Sequence, residues 1–453
     1  MTTRVILVRH GESTYNVERR IQGHCDESTL TAAGRLGAQQ VGSALAGIAF
    51  DAIYSSPLQR ARDTADLIVA ELQKASQPVP KVQLTDDLKE VNLMLWEGML
   101  FRDVKDKYPE DYRHWQEQPH LLRMQISNED GTTTEFAPFD SLFQQAKRFW
   151  QWLLAKHLGQ TILAVAHSGI NRALISTAVG LTPETFQVFQ KGNCSISILN
   201  FMGGWGDVVQ LESLNQTAHL GIKLPAPKTD HRGPRLLLVR HGETDWNRQG
   251  RFQGQIDVPL NETGRQQGAR VAEFLRDVPL QRAFTSPLLR PKETAELILQ
   301  YHPGVALELV DDLKEISHGL WEGKLEVEIR RDYPDLLHQW QTVPETVQMP
   351  EGENLHQVWK RAIAGWQHIV QTCAQSETPV TALVVAHDAV NKAILCSLFG
   401  LGPSSFWAFK QGNGGVTVVD YPKGANAPPV LQTMNITSHL SGGVLDKTAA
   451  GAL

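Results

Sequence analysis

The sequence predicts an α/β fold built from two tandem domains, each with a mostly parallel sheet flanked by helices. One reason is a repeat, because the string Leu-Val-Arg-His-Gly-Glu occurs at Leu7–Glu12 and again at Leu238–Glu243. Another is that short apolar runs alternate with amphipathic stretches in both halves, as strands and helices do in an open sheet. Landmarks that recur in the same order indicate a duplicated catalytic domain.

Four further landmarks follow the Arg-His-Gly string in each half. They are Arg60 and Arg290 in Ser-Pro-Leu-x-Arg, Glu90 and Glu315 in Asp-Asp-Leu-Lys-Glu, His167 and His387 in Val-Ala-His, and Asn193 and Asn413 after a glycine. The number of residues that separates the two copies of each landmark decreases in small steps along the chain, which indicates a few short loop insertions or deletions. Five landmarks that keep their order exclude coincidental matches.

The length of the chain suits this organisation. A chain of 453 residues is long for one domain, and each repeat of roughly 220 residues can bury its own core. We expect the first domain at residues 1–222 and the second at residues 235–440. A segment rich in proline and charge, 223–234, is predicted to be the linker, and residues 441–453 are predicted to form a loose tail.

Bulk composition excludes several classes of protein. A net charge of −6 gives no reason to expect nucleic acid or an anionic membrane as a partner. No segment approaches the length of a transmembrane span. The four cysteines show neither metal spacing nor a paired framework, which suits a reducing compartment and predicts a cytoplasmic location. The sequence leaves the oligomeric state open.

The predicted elements follow from periodicity and capping. Buried strands are predicted at Arg4–Val8, Asp51–Ser55, Thr161–Ala166, Leu236–Val239 and Thr381–Ala386. Amphipathic helices are predicted from Thr31 to Ala46 and from Asn261 to Leu275, with a cap at Thr31 and at Asn261 or Thr263. Pro57 is predicted to open a further helix.

Both histidines of each half directly follow a predicted strand. In an open α/β sheet the ligand site lies at the carboxyl ends of the strands. We therefore expect His10 and His167 to meet at one such edge, and His241 and His387 at another.

Each half supplies the same set of chemical groups. The set is Arg9, His10, Arg60, Glu90 and His167 in the first half, and Arg240, His241, Arg290, Glu315 and His387 in the second. The planar guanidinium group of arginine forms paired hydrogen bonds with phosphate or carboxylate, and of these anions a phosphoryl group fits best beside a histidine. A neutral imidazole can attack phosphorus, and arginines can stabilise the charge in transfer. The glutamate can protonate the leaving oxygen and later take a proton from water.

A metal site is the alternative for two histidines and a carboxylate. The flanking arginines would repel a cation, so the sequence predicts neither a metal nor another cofactor. The predicted partner is a small phosphoester substrate.

These motifs resemble those of the histidine phosphatase superfamily, also called phosphoglycerate mutase-like. The matching features are Arg-His-Gly-Glu-Ser/Thr-x-x-Asn, Ser-Pro-x-x-Arg-x-x-x-Thr-Ala, Leu-Lys-Glu followed by Trp-Glu-Gly, and the late Ala-His. The resemblance covers nearly all of both halves and implies two tandem phosphoglycerate mutase-like domains.

The resemblance also implies a role for each residue. His10 and His241 would be the phosphorylated nucleophiles, and Glu90 and Glu315 the proton donors. The phosphate pockets would be formed by Arg9, Asn16, Arg60 and His167 in the first half, and by Arg240, Asn247, Arg290 and His387 in the second.

The two halves depart from the family pattern at different places. The first half has Met94 where the second keeps Gly319, and Phe139-Asp140-Ser141 where the second keeps Gly352-Glu353-Asn354. The second half has Asp388 after its late histidine where the first has Ser168. An added carboxylate beside a phosphate pocket either weakens anion binding or faces away.

The resemblance implies a phosphomonoesterase that acts on small metabolites through a phosphohistidine. The short connection from Leu-Lys-Glu to Trp-Glu-Gly is similar to the phosphatase side of the family, with a mutase as the alternative. A third possibility is one catalytic domain with one regulatory or binding domain. Similarity to the tandem branch that includes 2-carboxyarabinitol-1-phosphate phosphatase implies a sugar phosphate or phosphoglycerate type of substrate.

Overall fold

Two compact units make up the chain. The computed structural model describes residues 1–75, 78–127 and 130–449, and its units are Met1–Ile222 and Lys223–Leu453. Each unit has a mixed sheet with helices packed against it. The predicted α/β class is therefore confirmed.

The first unit contains eight strands and seven α-helices within its described residues. In chain order they are β1 Thr3–Arg9, α1 Thr14–Glu18, α2 Ala32–Leu45, β2 Ala52–Ser55, α3 Gln59–Lys74, β3 Val82–Leu84, α4 Phe101–Lys107, α5 Pro109–Glu117, β4 Met124–Ser127, β5 Thr133–Phe136, α6 Pro138–Lys156, β6 Thr161–Ala166, α7 Ser168–Ala178, β7 Ile196–Phe201 and β8 Val209–Gln216.

The sheet of the first unit has the strand order β8-β7-β1-β6-β2-β3. Strands β1, β6, β2 and β3 run parallel to one another, whereas β7 is antiparallel to β1 and β8 is antiparallel to β7. In the register of β1 with β6, Arg9 lies opposite Ala166. The parallel register therefore brings His10 and His167, the next residues along the chain, to the same edge.

The second unit repeats this plan from its own segment of the chain. Its elements are β9 Arg235–Arg240, α8 Asp245–Gln249, α9 Glu262–Leu275, β10 Arg282–Thr285, α10 Leu289–Leu299, β11 Leu307–Leu309, α11 Glu326–Asp332, α12 Pro334–Thr342, α13 Leu355–Ala374, β12 Thr381–Ala386, α14 Asp388–Leu398, β13 Val416–Asp420, β14 Val430–Ile436 and α15 Ser438–Ser441.

Its sheet has the order β11-β10-β12-β9-β13-β14, with β13 antiparallel to β9. Arg240 lies opposite Ala386 in the parallel pair of β9 and β12. His241 and His387 consequently meet at one edge, as their counterparts do in the first unit. Apolar side chains of β9 and α9, such as Leu237, Val239 and Val271, are fully buried in the core behind this edge.

Helix capping follows the sequence closely. The Thr31 side chain accepts the Gly34 amide at the start of α2, and the Asn261 side chain accepts the Gly264 amide at the start of α9. These caps satisfy amide groups that have no partner inside the helix. Both predicted caps, with Asn261 as the choice in the second half, are confirmed.

Pro57 does not open a helix, so that prediction is wrong. Helix α3 begins at Gln59, and Leu58 before it keeps an extended backbone. The Ser56 hydroxyl accepts the Leu58 amide at 3.3 Å, and the Asp26 carboxylate accepts the Gln59 amide at 2.5 Å. The tertiary hydrogen bond from Asp26 supplies the cap at the first residue of the helix, and the local one from Ser56 holds the turn before it.

The predicted linker and tail both contact the second unit. The Arg232 amide donates to the Pro422 carbonyl, and the Arg235 guanidinium donates to the Pro225 carbonyl. In the predicted tail, the Asp446 carboxylate lies 3.4 Å from the Lys410 ammonium. The prediction of a loose tail is therefore wrong for this part, and residues 450–453 lie outside the described residues.

A close backbone approach joins the Arg-His-Gly loop to α2 in the first unit and to α9 in the second. A Cβ atom placed on Gly242 would lie 2.4 Å from the Gly264 carbonyl oxygen, which is far inside contact distance. Gly11 and Gly34 meet in the same way in the first unit. The glycine after each histidine is therefore required by the packing of the loop on the helix N-terminus.

None of the helices among the described residues is both long and apolar enough to cross a membrane.

We expect Gly242→Ala to destabilise the second domain by about 1–3 kcal/mol, because the added methyl group forces the histidine loop away from α9. Gly402→Ala is the matched control, since a Cβ there meets nothing within 4 Å. Thermal unfolding of both variants measures the difference. Equal melting temperatures for the two variants would show that the loop accommodates the methyl group.

Candidate active site

The first histidine of each domain is held in a defined tautomer. His10 is buried, and its Nδ1 atom lies 2.7 Å from the Gly11 carbonyl oxygen. The corresponding distance from His241 to Gly242 is also 2.7 Å. A carbonyl oxygen only accepts hydrogen bonds, so Nδ1 must carry the proton. In the neutral ring the lone pair is then on Nε2, which is the atom available for attack.

The surroundings also keep these rings neutral. Burial, followed by Arg60 and Arg9, holds the pKa of His10 well below its usual value of 6.5. Burial, Arg290 and Arg240 do the same to the pKa of His241. An uncharged imidazole is the form that can act as a nucleophile.

A fully buried arginine lies beside each of these histidines. The Arg60 guanidinium donates to the carbonyls of Gly23 and Cys25, at 2.9 Å each. Arg290 donates to the Gly254 carbonyl at 2.7 Å, and its Nε lies 3.3 Å from His241 Nε2. Burial lowers the pKa of Arg290 to about 10, so it remains a cation at neutral pH.

The second arginine of each pocket is anchored at the end of the first strand. Arg9 donates to the Lys191 carbonyl and Arg240 to the Gln411 carbonyl, at 2.6 Å in both cases. The Nε atoms of Arg9 and Arg240 are buried and have no hydrogen-bond partner within the described residues. A cationic N–H group in this state is suited to an anionic ligand.

The motif threonine connects the histidine loop to the arginine helix. The Thr64 hydroxyl accepts the Gly11 amide at 3.0 Å and donates to the Arg60 carbonyl at 2.7 Å. Thr294 makes the equivalent contacts with Gly242 and Arg290, at 3.1 and 2.7 Å. This explains why the arginine is followed four residues later by threonine in each half.

The predicted phosphate-binding asparagine has its oxygen fully engaged. Asn16 Oδ1 accepts the Ser13 amide and the Asn193 side-chain amide, both at 3.1 Å. Asn247 Oδ1 accepts the Thr244 amide at 3.1 Å. The amide nitrogen is therefore the group of each asparagine that remains to donate to an anion.

The late histidine of each domain lies against the first one. The ring centres of His10 and His167 are 5.1 Å apart, and those of His241 and His387 are 5.2 Å apart. His167 Nε2 lies 2.8 Å from the Ser56 hydroxyl, while its Nδ1 is buried with no partner among the described residues. Burial and then Arg60 hold the pKa of His167 well below 6.5.

The two glutamates are held differently. Glu90 accepts the amides of Val91, Gly169 and Ile170 at 2.9, 3.0 and 3.1 Å, the last two at the N-terminus of α7. Glu315 accepts the Ile316 amide at 3.0 Å and the Ala389 amide at 3.4 Å. Burial, followed by Asp388, raises the pKa of Glu315.

Residues that the sequence did not single out complete the site. The His24 Nε2 atom lies 2.7 Å from the Glu90 carbonyl oxygen, and Gln255 donates to the Glu315 carbonyl at 3.1 Å. The Ser13 hydroxyl lies 3.1 Å from the side-chain oxygen of Gln22. Comparing the two halves residue by residue would have drawn attention to His24, because it occupies the position of Gln255.

The departures between the halves also have structural meaning. Glu353 accepts the Ser317 amide at 2.9 Å and pairs with Arg361, which holds the segment after Glu315. Asp140 instead lies in the first turn of α6, 3.5 Å from Arg123. Asp388 faces the pocket rather than away from it, since its Oδ1 is 3.5 Å from Arg240 Nη1.

Within the described residues no group of three or more histidine, cysteine, aspartate or glutamate side chains is arranged to hold a metal ion. The histidine nitrogens instead face arginines, which makes these pockets electrostatically suited to an anion.

We expect the rings of His10, His167, His241 and His387 to stay uncharged as the pH falls from about 7.5 to about 6, because their pKa values are well below 6.5. NMR titration of the ring protons, assigned with single alanine variants, measures this directly. A titration midpoint near 6.5 for His10 or His241 would contradict the proposed environment. The neutral form, and with it the ability to attack phosphorus, should be lost only at lower pH.

Comparison with known proteins identifies relatives over the whole chain and over single domains. The 2-carboxy-D-arabinitol-1-phosphatase of Triticum aestivum is 29% identical over 448 residues, which cover 96% of this chain and 86% of that protein. Phosphoserine phosphatase 1 of Hydrogenobacter thermophilus is 35% identical over 208 residues, covering 46% of this chain and 94% of that protein. Among solved structures, Bacillus stearothermophilus YhfR is 30% identical over 46% of this chain and all of that chain, with a TM-score of 0.41.

The family profile described as "Histidine phosphatase superfamily (branch 1)" matches residues 5–214 and again residues 236–437. The resemblance inferred from the sequence motifs is thereby confirmed, as is the assignment to histidine phosphatase enzymes. The chain belongs to the histidine phosphatase superfamily, branch 1, and contains its domain twice.

Proposed function

We propose that the protein is a phosphomonoesterase that hydrolyses small phosphorylated metabolites in both domains through a phosphohistidine. The observation that supports the proposal is a buried histidine in each domain, His10 and His241. Its Nδ1 atom donates to a carbonyl oxygen, while its Nε2 atom faces arginines. That arrangement provides a neutral nucleophile inside a pocket for an anion.

In the first step the Nε2 lone pair of His10 attacks phosphorus and a nitrogen–phosphorus bond forms. The bond from phosphorus to the ester oxygen breaks, and the leaving oxygen takes a proton from the carboxyl group of Glu90. His241 and Glu315 perform the same steps in the second domain. Proton donation to a poor leaving group contributes typically 10²–10⁴-fold to the rate.

In the second step water attacks the phosphohistidine. The glutamate, now a carboxylate, takes a proton from the water molecule as the new phosphorus–oxygen bond forms and the nitrogen–phosphorus bond breaks. Phosphate leaves and the imidazole returns to its neutral form. The arginines serve both steps, because the charge on the phosphoryl oxygens is similar in both transition states.

Binding of the phosphoryl group falls to donors that the protein leaves unused. In the first domain these are the guanidinium of Arg9, the side-chain amide of Asn16 and the Nδ1 edge of His167, with Arg60 beside the nucleophile. In the second domain the equivalent donors are Arg240, Asn247, His387 and Arg290. Convergence of several donors on one position gives both affinity and orientation.

The names of the relatives support a small substrate with a second polar group. The wheat relative is named for an arabinitol phosphate that carries a carboxyl group, and the Hydrogenobacter relative for phosphoserine. We infer a sugar phosphate or phosphoglycerate type of substrate on this basis. The segments that differ most between the domains, α4 and α5 with the hairpin β4–β5 against α11 and α12, are the expected source of specificity.

Both domains are proposed to be catalytic, because each has a complete set of histidines, arginines and a glutamate. We expect His10→Ala and His241→Ala each to retain part of the activity, and the double variant to lose turnover and acid-labile phosphohistidine together. Steady-state phosphate release and quenched-flow detection of phosphoenzyme measure these outcomes. His368→Ala, at an exposed histidine of α13 outside the site, is the control and should behave as the parent.

Turnover by the double variant near the parent rate would contradict the phosphohistidine mechanism. Loss of all activity in one single variant alone would instead favour one catalytic domain with one binding domain.

Activity should persist after exhaustive treatment with a chelator, because arginines rather than a cation neutralise the phosphoryl group. The measurement is phosphate release before and after treatment, with added Mg²⁺, Mn²⁺ and Zn²⁺ tested separately. Loss of activity that one metal restores would favour the alternative of a metal site.

Free phosphate should be the main product from 3-phosphoglycerate or a sugar phosphate. The connection from Glu90 to Glu97 is short, so it leaves little cover to keep water from the intermediate. An assay that follows both phosphate and 2-phosphoglycerate decides between the alternatives. Faster formation of 2-phosphoglycerate than of phosphate would establish a mutase instead.

A further inference from the structure

The second site contains a buried carboxylate that has no counterpart in the first. Asp388 follows His387 and is the first residue of α14, with 1% of its surface exposed. Its Oδ1 lies 3.5 Å from Arg240 Nη1, and its Oδ2 lies 2.6 Å from Lys392 Nζ. One carboxylate therefore engages a predicted phosphate-binding arginine and a buried lysine together.

The first domain fills the same positions without a negative charge. Ser168 is the first residue of α7, and Arg172 takes the place of Lys392. Arg172 donates to the Gln187 side chain at 3.2 Å. Across the part of the chain that the structure describes, neither Arg9 nor Arg172 has a carboxylate within ion-pair distance. Arg9 is thus more available to an anionic ligand than Arg240.

The glutamate proposed as the proton donor also has different surroundings in the domain that contains Asp388. Glu90 accepts two amides from the start of α7 at 3.0 and 3.1 Å, whereas Glu315 accepts one from the start of α14 at 3.4 Å. Backbone N–H groups stabilise a carboxylate over a carboxylic acid, so weaker bonding favours the protonated form. A neighbouring negative charge such as Asp388 acts in the same direction.

The other charges that face Glu315 act in the opposite direction. Arg290 and Arg240 lower the pKa of Glu315, but burial and Asp388 outweigh them, so its pKa is raised. Arg361 donates to the Glu315 backbone carbonyl at 3.0 Å and pairs with Glu353, so its charge is already compensated.

We propose that Asp388 is a positioning residue that keeps Glu315 in its proton-donating form and shares Arg240 with the substrate phosphate. Glu315 is then held in the form that donates a proton, while Arg240 is less available to the substrate phosphate than Arg9 is. This inference rests on the proposed function. The first domain, with Ser168 at this position, lacks this carboxylate.

The role of Asp388 can be tested in full-length variants in which only one of the two sites keeps its nucleophilic histidine, here called single-site enzymes. His10→Ala leaves the second domain as the active site, and His241→Ala leaves the first. In the His10→Ala enzyme, Asp388→Asn removes the charge and keeps the shape. The double variant Asp388→Ser/Lys392→Arg installs the pair that the first domain uses, which avoids leaving Lys392 buried without a carboxylate. The reciprocal variant in the His241→Ala enzyme is Ser168→Asp/Arg172→Lys.

The kcat for an alkyl phosphate should fall with rising pH as Glu315 loses its proton. Removing the charge of Asp388 lowers the pKa of Glu315, so this alkaline limb should move to lower pH. At a pH above the limb, each pH unit of this shift should lower kcat about tenfold. With p-nitrophenyl phosphate, whose phenolate leaves without a proton, kcat should change little. The reciprocal variant should weaken the binding of inorganic phosphate to the first domain, because the added carboxylate competes for Arg9.

Inorganic phosphate provides a readout that needs no turnover. Calorimetry should show several-fold tighter phosphate binding after Asp388→Asn, because Arg240 is released. Unchanged binding together with an unchanged pH profile, even with a lowered melting temperature, would overturn the inference and leave a structural role. Loss of turnover in both single-site enzymes with phosphate binding intact would contradict the proposed function instead.

Discussion

Each domain depends on burying one arginine side chain and supplying carbonyl acceptors for the end of its guanidinium. A buried cation without partners is strongly destabilising, so the surrounding chain must supply acceptors. In the first domain the carbonyls of Gly23 and Cys25 accept from Arg60. The loop that carries them is itself held by Glu97, which accepts the His24 amide at 2.6 Å. The Trp-Glu-Gly motif is therefore structural support for the arginine, and the site is preorganised around a fixed positive charge.

The parts of the site that the sequence predicts are those fixed by strand ends. His10 and His167 follow adjacent parallel strands, so their meeting is a consequence of topology. The parts that it does not predict depend on packing between distant segments. The first residue of α3 is capped by the distant Asp26, and the Asp388 carboxylate faces the distant Arg240. Local pattern contains no information about such partners.

The two copies have diverged around the reacting groups rather than among them. Besides the exchange of Ser168 for Asp388, the first domain has a buried lysine, Lys191, where the second has Gln411. Lys191 lies 2.5 Å from the Ser197 hydroxyl, and burial followed by Arg172 holds its pKa well below its usual value. Both copies have thus kept the same histidines, arginines and glutamate, while the electrostatic surroundings of the two pockets became different.

The C-terminal segment of the described chain is attached to the frame of the second site. The Thr448 hydroxyl accepts the Asn413 amide at 3.2 Å, and the Asn413 side chain donates to the His241 carbonyl at 3.1 Å. The backbone of His241 is therefore two hydrogen bonds away from Thr448. An affinity tag or a truncation at this end therefore alters the hydrogen bonds around His241 but not those around His10. The activity measured for each domain then depends on which terminus is altered.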